Sequence, residues 1–167
     1  GASANRIIRL NADGIRDDSF LTGTGFSGVI TDIALQSENK IVLAGGGGKY
    51  KGDTCSYPVA RLHINGDIDT TFKATKPSDI SASSLYRADM IVVQPSGKVV
   101  VKGEFYTSGF RVYLFRLDIN GKYDDSFQTM GISASWVERL ETLVTNTKGE
   151  IIVGGNRLFS YDRRTHI

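Results

Sequence analysis

The chain of 167 residues is poor in several features that would by themselves define a class of protein. A single cysteine, Cys55, excludes an internal disulfide framework and a cysteine-based zinc cluster. The 20 Lys and Arg nearly balance the 18 Asp and Glu, which argues against a dedicated nucleic-acid surface. No apolar run approaches the ~20 residues of a membrane span, so no membrane insertion is expected. Only 3 prolines stand beside 19 glycines, which favours a chain rich in strands and turns.

One pattern occurs three times in the sequence: Arg-Leu, then Gly, then Asp, then Phe. The copies lie at 9–20, 61–72 and 116–127. Their first residues are 52 and 55 positions apart. A recurrence at this period is typical of repeat architectures, so it determines the predicted fold.

A second element recurs between these copies, and it predicts strands. Ile41–Leu43, Val99–Val101 and Ile151–Val153 are short apolar stretches, each preceded by a polar corner and by another apolar stretch. Because the middle strands are apolar on consecutive residues, both of their faces must be covered. The Asn-Gly and Asp-Gly pairs inside the first pattern indicate tight hairpins. A unit of about four short strands with a doubly covered inner strand describes a propeller blade.

The predicted fold is therefore all-β and propeller-like, with three repeated four-stranded antiparallel sheets related by pseudo-threefold symmetry. The chain 1–167 forms one domain. Its blades are 21–72, 73–127, and 128–167 completed by 1–20. Pairing of the terminal strands, Ile7–Leu10 with Ile151–Val153, is expected to close the ring and protect the sheet edges. A larger ring built from two or more chains, or part of a longer array, are the alternatives.

The unit at 34–72 carries Lys-Ile-Val-Leu-Ala-Gly-Gly, Ala-Arg-Leu and Asn-Gly-Asp-Ile-Asp-Thr-Thr-Phe, and it closely resembles the delta-60 repeat. Residues 93–127 resemble it equally well, whereas the third copy has Thr145-Asn146-Thr147 in place of the usual Gln-Pro-Asp corner. The resemblance implies β-propeller-type blades. It implies no reaction, because the family shares no catalytic residues, and its members include surface, secreted and phage-encoded proteins.

An Arg and an Asp stand eight positions apart in each copy of the first pattern. Across a hairpin this spacing makes them near-diagonal neighbours on one face. We interpret them as a structural pair that attaches each hairpin to the next blade, with a repeated carboxylate or phosphate site as the alternative; the Phe of each copy is expected in the core. The structural repeat residues are Arg9, Asp17, Phe20, Arg61, Asp69, Phe72, Arg116, Asp124 and Phe127.

No arrangement in the sequence favours catalysis, a metal or a cofactor. Asp17-Asp18 and Asp124-Asp125 resemble paired catalytic carboxylates, but they belong to the repeat. The run Gly45–Gly48 followed by Lys49 lacks the Gly-Lys-Ser/Thr ending of a phosphate loop. We expect no catalytic residues, no metal site and no cofactor.

Aromatic residues in the variable loops are the candidates for ligand contact. Loops vary while strands hold, and Tyr or Phe beside Lys suits sugar stacking or protein contact. Trp136 breaks the repeat, so it is either a core plug or an exposed anchor. The candidate ligand-binding residues are Lys49, Tyr50, Tyr57, Phe105, Tyr106, Phe110 and Trp136.

Three functions follow from these observations. The first is a non-catalytic attachment module of a larger extracellular or virion protein, such as a phage tail-fibre tip, that binds a surface glycan or protein beside neighbouring domains. The second is an assembly module that joins subunits, so an oligomer is possible. The third is a glycan-active enzyme, for which Glu104 and Asp53 are candidate carboxylates that the sequence does not bring together.

Overall fold

A computed structural model describes residues 6–20, 26–46, 48–50, 53–55, 58–77, 85–106, 110–132 and 140–156. These residues form strands, turns and one short 3-10 turn at Ser37–Asn39. The strands are β1 (Ile30–Gln36), β2 (Lys40–Gly45), β3 (Gly48–Tyr50), β4 (Asp53–Cys55), β5 (Val59–Leu62), β6 (Leu85–Val93), β7 (Val99–Tyr106), β8 (Phe110–Leu117), β9 (Met130–Ile132), β10 (Leu140–Thr145) and β11 (Ile151–Gly155). The all-β prediction is confirmed. The described residues include no helix long and apolar enough to cross a membrane.

The strands form four antiparallel sheets of unequal size. The first sheet has the order β1-β2-β5, and the second is four-stranded with the order β6-β7-β8-β9. The third consists of β10 and β11, while β3 and β4 form a separate hairpin. Of the three predicted four-stranded sheets, only the second has four strands within the described residues, since the first has three and the third has two. The last strand of the second sheet, β9, lies beyond the predicted boundary at residue 127 because the backbone after the hairpin pairs with the outer edge of β8.

The first two strands of every unit share one irregularity, a β-bulge in the first strand (β1, β6 or β10). Ile30 pairs with Gly45, and the register shifts before Asp32. Equivalent shifts follow the pairings of Ala88 with Gly103 and of Leu140 with Gly155. A Cβ on Gly45 would lie 2.0 Å from the Val29 carbonyl oxygen, so the bulge requires glycine there.

The predicted Asn-Gly and Asp-Gly hairpins are confirmed. Gly14, Gly66 and Gly121 all have φ between 83° and 90°, a conformation that favours glycine. In each hairpin the glycine amide donates to the carbonyl three residues earlier, and the Asp after the turn donates its amide to the Arg carbonyl. The chain therefore returns in the same way in all three copies.

The core is divided between the sheets. One cluster joins the first and second sheets through Val42, Ala44 and Phe72 on one side and Val99, Val101 and Phe115 on the other. A second joins the opposite face of the second sheet to the third, where Val100 and Leu114 meet Leu140 and Leu143. Consecutive residues of β2 and β7 thus pack on opposite faces, as their uninterrupted apolar sequence predicts.

The N-terminal segment packs on the outer face of the first sheet. Ile7, Phe20 and Phe26 cover Ile41, Leu43, Ala60 and Leu62. Within the described residues, the expected pairing of Ile7–Leu10 with Ile151–Val153 is not formed, since β11 pairs only with β10. The physical reason is that the N-terminal segment buries its apolar side chains on the first sheet. Ile33 and Leu35 on the first sheet and Val144 and Ile152 on the third remain exposed, so these two faces are not packed on each other.

Candidate functional site

Each copy of the repeat pattern forms the same Arg–Asp–Phe arrangement, here called a staple. The Nε atom of Arg9, Arg61 or Arg116 donates to the Oδ2 atom of its Asp at 2.8, 2.9 and 2.8 Å respectively. Each guanidinium carbon also lies 5.0, 4.8 or 4.8 Å from the ring centre of the Phe in its copy. Cation–π contact and the ion pair together fix the hairpin to the chain that follows it. The structure therefore brings together the residues that the spacing had paired.

The staple carboxylates are held in the ionised form. Burial alone would favour the neutral acid of Asp69, but hydrogen bonds from Thr71 and Lys40 and the charge of Arg61 hold the pKa of Asp69 well below its usual range. The pKa of Asp124 is lowered in the same way, against burial, by Lys98, Ser126 and Arg116. A general acid must release a proton near the working pH, and these groups cannot hold one there.

Two of the three staples also contact the next repeat along the chain. Arg61 Nη1 donates to the Ile119 carbonyl at 2.6 Å, and Arg9 Nη1 donates to the equivalent carbonyl of Ile64. Two glutamines repeat the pattern, since Gln36 Nε2 donates to the Gly97 carbonyl and Gln94 Nε2 to the Gly149 carbonyl, both at 2.6 Å. The staples therefore serve as connectors between repeats.

Sequence reasoning missed the role of these glutamines and of two lysines. Gln36 Oε1 accepts from Arg61, and Gln94 Oε1 accepts from Arg116. Lys40 and Lys98 pair with the Asp of their own unit at 3.1 and 2.7 Å. The signal was present, because Gln and Lys recur at the polar corners that precede the first two middle strands, whereas the third corner has Asn146 and Glu150.

A cleft of about 350 Å³ lies at one end of the sheets, where the three polar corners converge. It is lined by Leu35 and Ser37 from the first corner, by 93–95 and Gly97 from the second, and by 145–147 from the third. The lining carries hydroxyls, amides and backbone groups but no charged side chain. Such a cleft suits an uncharged polar ligand group.

The hairpins that connect second and third strands lie at the other end of the sheets. The β3–β4 hairpin pairs Lys49 with Thr54 and Tyr50 with Asp53. In the next unit Tyr106 pairs with Phe110 at the tip of the β7–β8 hairpin. Four candidate ligand-binding residues are thus placed near two hairpin tips at one end. Tyr57 and Trp136 lie outside the described residues.

The expectation that Phe105 contacts a ligand requires correction. Its side chain is fully buried and packs edge-on against Phe115, with ring centres 5.7 Å apart. β7 runs on to Tyr106, and the alternation that buries Val99 and Val101 also buries Phe105. A phenyl ring in this position stabilises the core and has no surface to offer.

The described charged groups include one carboxylate pair outside the staples. Asp89 and Glu104 lie on β6 and β7, with Arg87 Nε 2.5 Å from Asp89 Oδ1 and Lys102 Nζ 3.4 Å from Oδ2. Burial, and then the Asp89 charge, raise the pKa of Glu104. Within the described ranges no group of three His, Cys, Asp or Glu side chains could hold a metal ion.

Sheets joined face to face by repeated contacts, with a cleft where their corners meet, define the chain as a β-propeller-type repeat protein. The family described as a domain of unknown function (DUF5122) beta-propeller matches residues 1–20, 36–72 and 94–127, which is more than half of the chain. The chain belongs to this family. No curated protein and no solved structure matches it.

Proposed function

We propose that this chain is a non-catalytic recognition module of a larger extracellular or virion protein, and that it binds a surface glycan or protein through its hairpin tips. The observation that carries the proposal is the placement of Lys49 and Tyr50 on one hairpin and of Tyr106 and Phe110 on another. Both hairpins leave their sheets at the same end, opposite the corners. Tyr, Phe and Lys are residue types that often bind sugars and protein surfaces.

The use of charge in the scaffold also supports a binding role. The three staple carboxylates each accept from an Arg and from a hydroxyl of Ser19, Thr71 or Ser126. Carboxylates that are ionised at neutral pH and fully hydrogen-bonded in this way stabilise the fold and do not take part in a reaction. The loops vary between repeats while these contacts repeat, which is the usual division between scaffold and recognition surface.

Binding of the labelled chain to a glycan array and to whole cells tests the proposal. Tyr50→Ala combined with Tyr106→Ala is expected to weaken the strongest binding by about tenfold or more, as loss of aromatic anchors does. Lys49→Ala should weaken it less. Lys148→Ala is the matched control, because Lys148 is an exposed lysine in a corner at the opposite end, and it should leave binding unchanged.

Two results would overturn this assignment. The first is no binding of the unmodified chain to any glycan or cell. The second is binding that survives the double tyrosine variant but is lost in Ser37→Tyr, whose larger side chain would fill the corner cleft. The second result would move the binding site to that cleft.

We further infer that the units are of the delta-60 type and that they follow one another about an axis through the corner cleft. The equal contacts of Gln36 with Gly97 and of Gln94 with Gly149 support a regular rotation between units. So does the bulge common to all three units. A ring closed through the terminal strands would continue the same rotation from unit to unit.

A second candidate function is assembly, in which the module joins subunits of a larger particle. It is favoured by a specific observation, the two exposed apolar sheet faces at the ends of the described stack. A face of this kind on a soluble repeat is expected to be covered by another one.

A further inference from the structure

Two sheet faces at opposite ends of the stack are apolar and exposed. On the first sheet Ile33 and Leu35 are 49% and 71% exposed. On the third sheet Val144 and Ile152, which pair with each other across β10 and β11, are 47% and 57% exposed. Inner strands of propeller blades are covered on both faces. The N-terminal segment covers the β2 and β5 part of the first face, so among the described residues the β1 part of the first sheet and the outer face of the third sheet lack a neighbour.

The repeat shows which faces fit each other. In the interface between the first two sheets, Ala34 and Val42 of one sheet pack with Ile91 and Val93 of the next. By register, Val144 and Ile152 are the equivalents of Ala34 and Val42. Ile33 and Leu35 are likewise the equivalents of Ile91 and Val93. The two exposed faces are therefore the two halves of an interface that the chain already forms internally.

The staples carry the same complementarity. Arg9 and Arg61 each donate Nη1 to a carbonyl in the next hairpin, but Arg116 Nη1 has only Gln94 Oε1 among the described residues. The carbonyl equivalent to those of Ile64 and Ile119 belongs to Ala12, in the exposed N-terminal hairpin.

The glycines of these hairpins lead to the same conclusion. A Cβ on Gly121 would lie 2.9 Å from the backbone of Lys73 and Ala74, which covers that hairpin. A Cβ on Gly14 would meet nothing within 4 Å. The N-terminal hairpin is thus built like a docked one, but no segment within the described ranges docks on it.

We infer that a second copy of this chain occupies these faces, so that two chains form a ring in which each supplies the end that the other lacks. The contact deepens the assembly role proposed above and rests on it. We call each interface between the two copies a seam. In each seam, Val144 and Ile152 of one copy cover Ile33 and Leu35 of the other. Arg116 donates there to the backbone carbonyl of the partner's Ala12. Propellers have about 4–8 blades, so three units cannot close at ordinary geometry, whereas the six units of two copies can.

The seam is expected to be weaker than the internal interfaces, because two residues of the third corner differ from those of the other corners. Asn146 replaces the glutamine of the other corners, and its amide donates to Glu150 Oε2 at 2.6 Å. Glu150 itself stands where Lys40 and Lys98 pair with the staple carboxylates. In the seam Glu150 approaches Asp17 instead of supplying the missing lysine, so the dimer is expected to dissociate on dilution.

Sedimentation equilibrium of the whole chain over a dilution series tests the inference. We expect a mass of twice 18.2 kDa that falls to 18.2 kDa on dilution. Ile152→Lys should give the monomer throughout. Ile15→Lys is the matched control and should keep the dimer, because residue 15 is exposed and the equivalent positions carry Asp67 and Lys122.

A gain of affinity separates this seam from any other contact. Glu150→Lys combined with Asn146→Gln restores the residues of the other corners and should lower the dissociation constant about tenfold. Glu141→Lys, an exposed change of the same charge on β10, should not.

Three outcomes would overturn the inference. One is a monomer at every concentration whose melting temperature Ile152→Lys lowers, which means that the chain closes on itself. Another is a dimer whose dissociation constant is unchanged by Glu150→Lys combined with Asn146→Gln. The third is a series of ever larger masses. None of these bears on glycan or cell binding by the hairpin tips, which the array measures independently.

Discussion

The second and first staples have the same sequence pattern and the same internal contacts, yet they differ in burial. The side chains of Arg61 and Asp69 are 3% and 1% exposed, whereas those of Arg9 and Asp17 are 29% and 19% exposed. The difference arises outside the motif. Gln36, Lys40 and the Ile119 carbonyl surround the second staple, whereas the first staple has the equivalent of only one of these, the Ile64 carbonyl. The contribution of a repeat motif to the free energy of unfolding thus depends on the repeats that flank it.

The largest expected effect separates two phenylalanines at equivalent positions. Phe72 is buried between the first and second sheets, whereas Phe127 is half-buried. Phe72→Ala is expected to lower the free energy of unfolding by about 3–5 kcal/mol, through lost transfer energy and the cavity left behind. Phe127→Ala should cost clearly less, as measured by urea denaturation. Equal losses would show that neighbouring sheets do not set the weight of the motif.

Removing the carboxylate charge of one staple at a time compares the electrostatic contributions of the second and first staples to stability. Asp69→Asn leaves Arg61 and Lys40 buried or half-buried without their carboxylate, and it is expected to cost about 3 kcal/mol or more in urea denaturation. Asp17→Asn removes a more exposed carboxylate, so the loss should be much smaller. If the two variants unfold at the same urea concentration, the burial of the second staple has no energetic meaning.

Alanine at two hairpin glycines isolates the docking contact. Gly121 and Gly14 have φ of 90° and 83°, so alanine at either pays about 1–2 kcal/mol for the left-handed conformation. At Gly121 the new Cβ also meets the backbone of the preceding connector, which should add about 1–3 kcal/mol. Thermal unfolding of both variants in the background of the monomeric Ile152→Lys chain measures the difference. Identical melting temperatures would contradict the close approach.

The smallest effect is a loss of stability in acid. Since the pKa values of Asp69 and Asp124 are lowered by folding, their contribution is complete above the pKa of an unfolded Asp, about 3.9, and is lost as the pH falls below it. Between pH 6 and pH 3.5 we expect a loss on the order of 1 kcal/mol, reported by the melting temperature. The Asp69→Asn variant should lose less over this interval; a loss as large as that of the unmodified chain would locate the acid sensitivity elsewhere.

The sequence was sufficient for the contacts that repeat. Eight-residue spacing brought each Arg to its Asp, and the Asn-Gly and Asp-Gly pairs identified the hairpins, because both depend on local geometry. The role of Gln36 was readable in principle, but a side chain that bonds Gly97 in the next repeat has no local signature. Phe105 was misplaced because the length of β7 depends on its pairing with β8, and strand alternation beyond Lys102 buries that ring. Ring closure depends on the angle between sheets, which no motif encodes.

Native-state hydrogen exchange of three equivalent amides measures whether the flanking repeats stabilise each staple. The amides of Asp17, Asp69 and Asp124 donate to the Arg carbonyl of their own copy at 2.9, 2.8 and 2.9 Å, so local geometry does not distinguish them. In the Ile152→Lys monomer, we expect the strongest protection at Asp69, less at Asp124 and the least at Asp17. Equal protection at the three amides, or the strongest at Asp17, would contradict the claim that flanking repeats determine the stability of each staple.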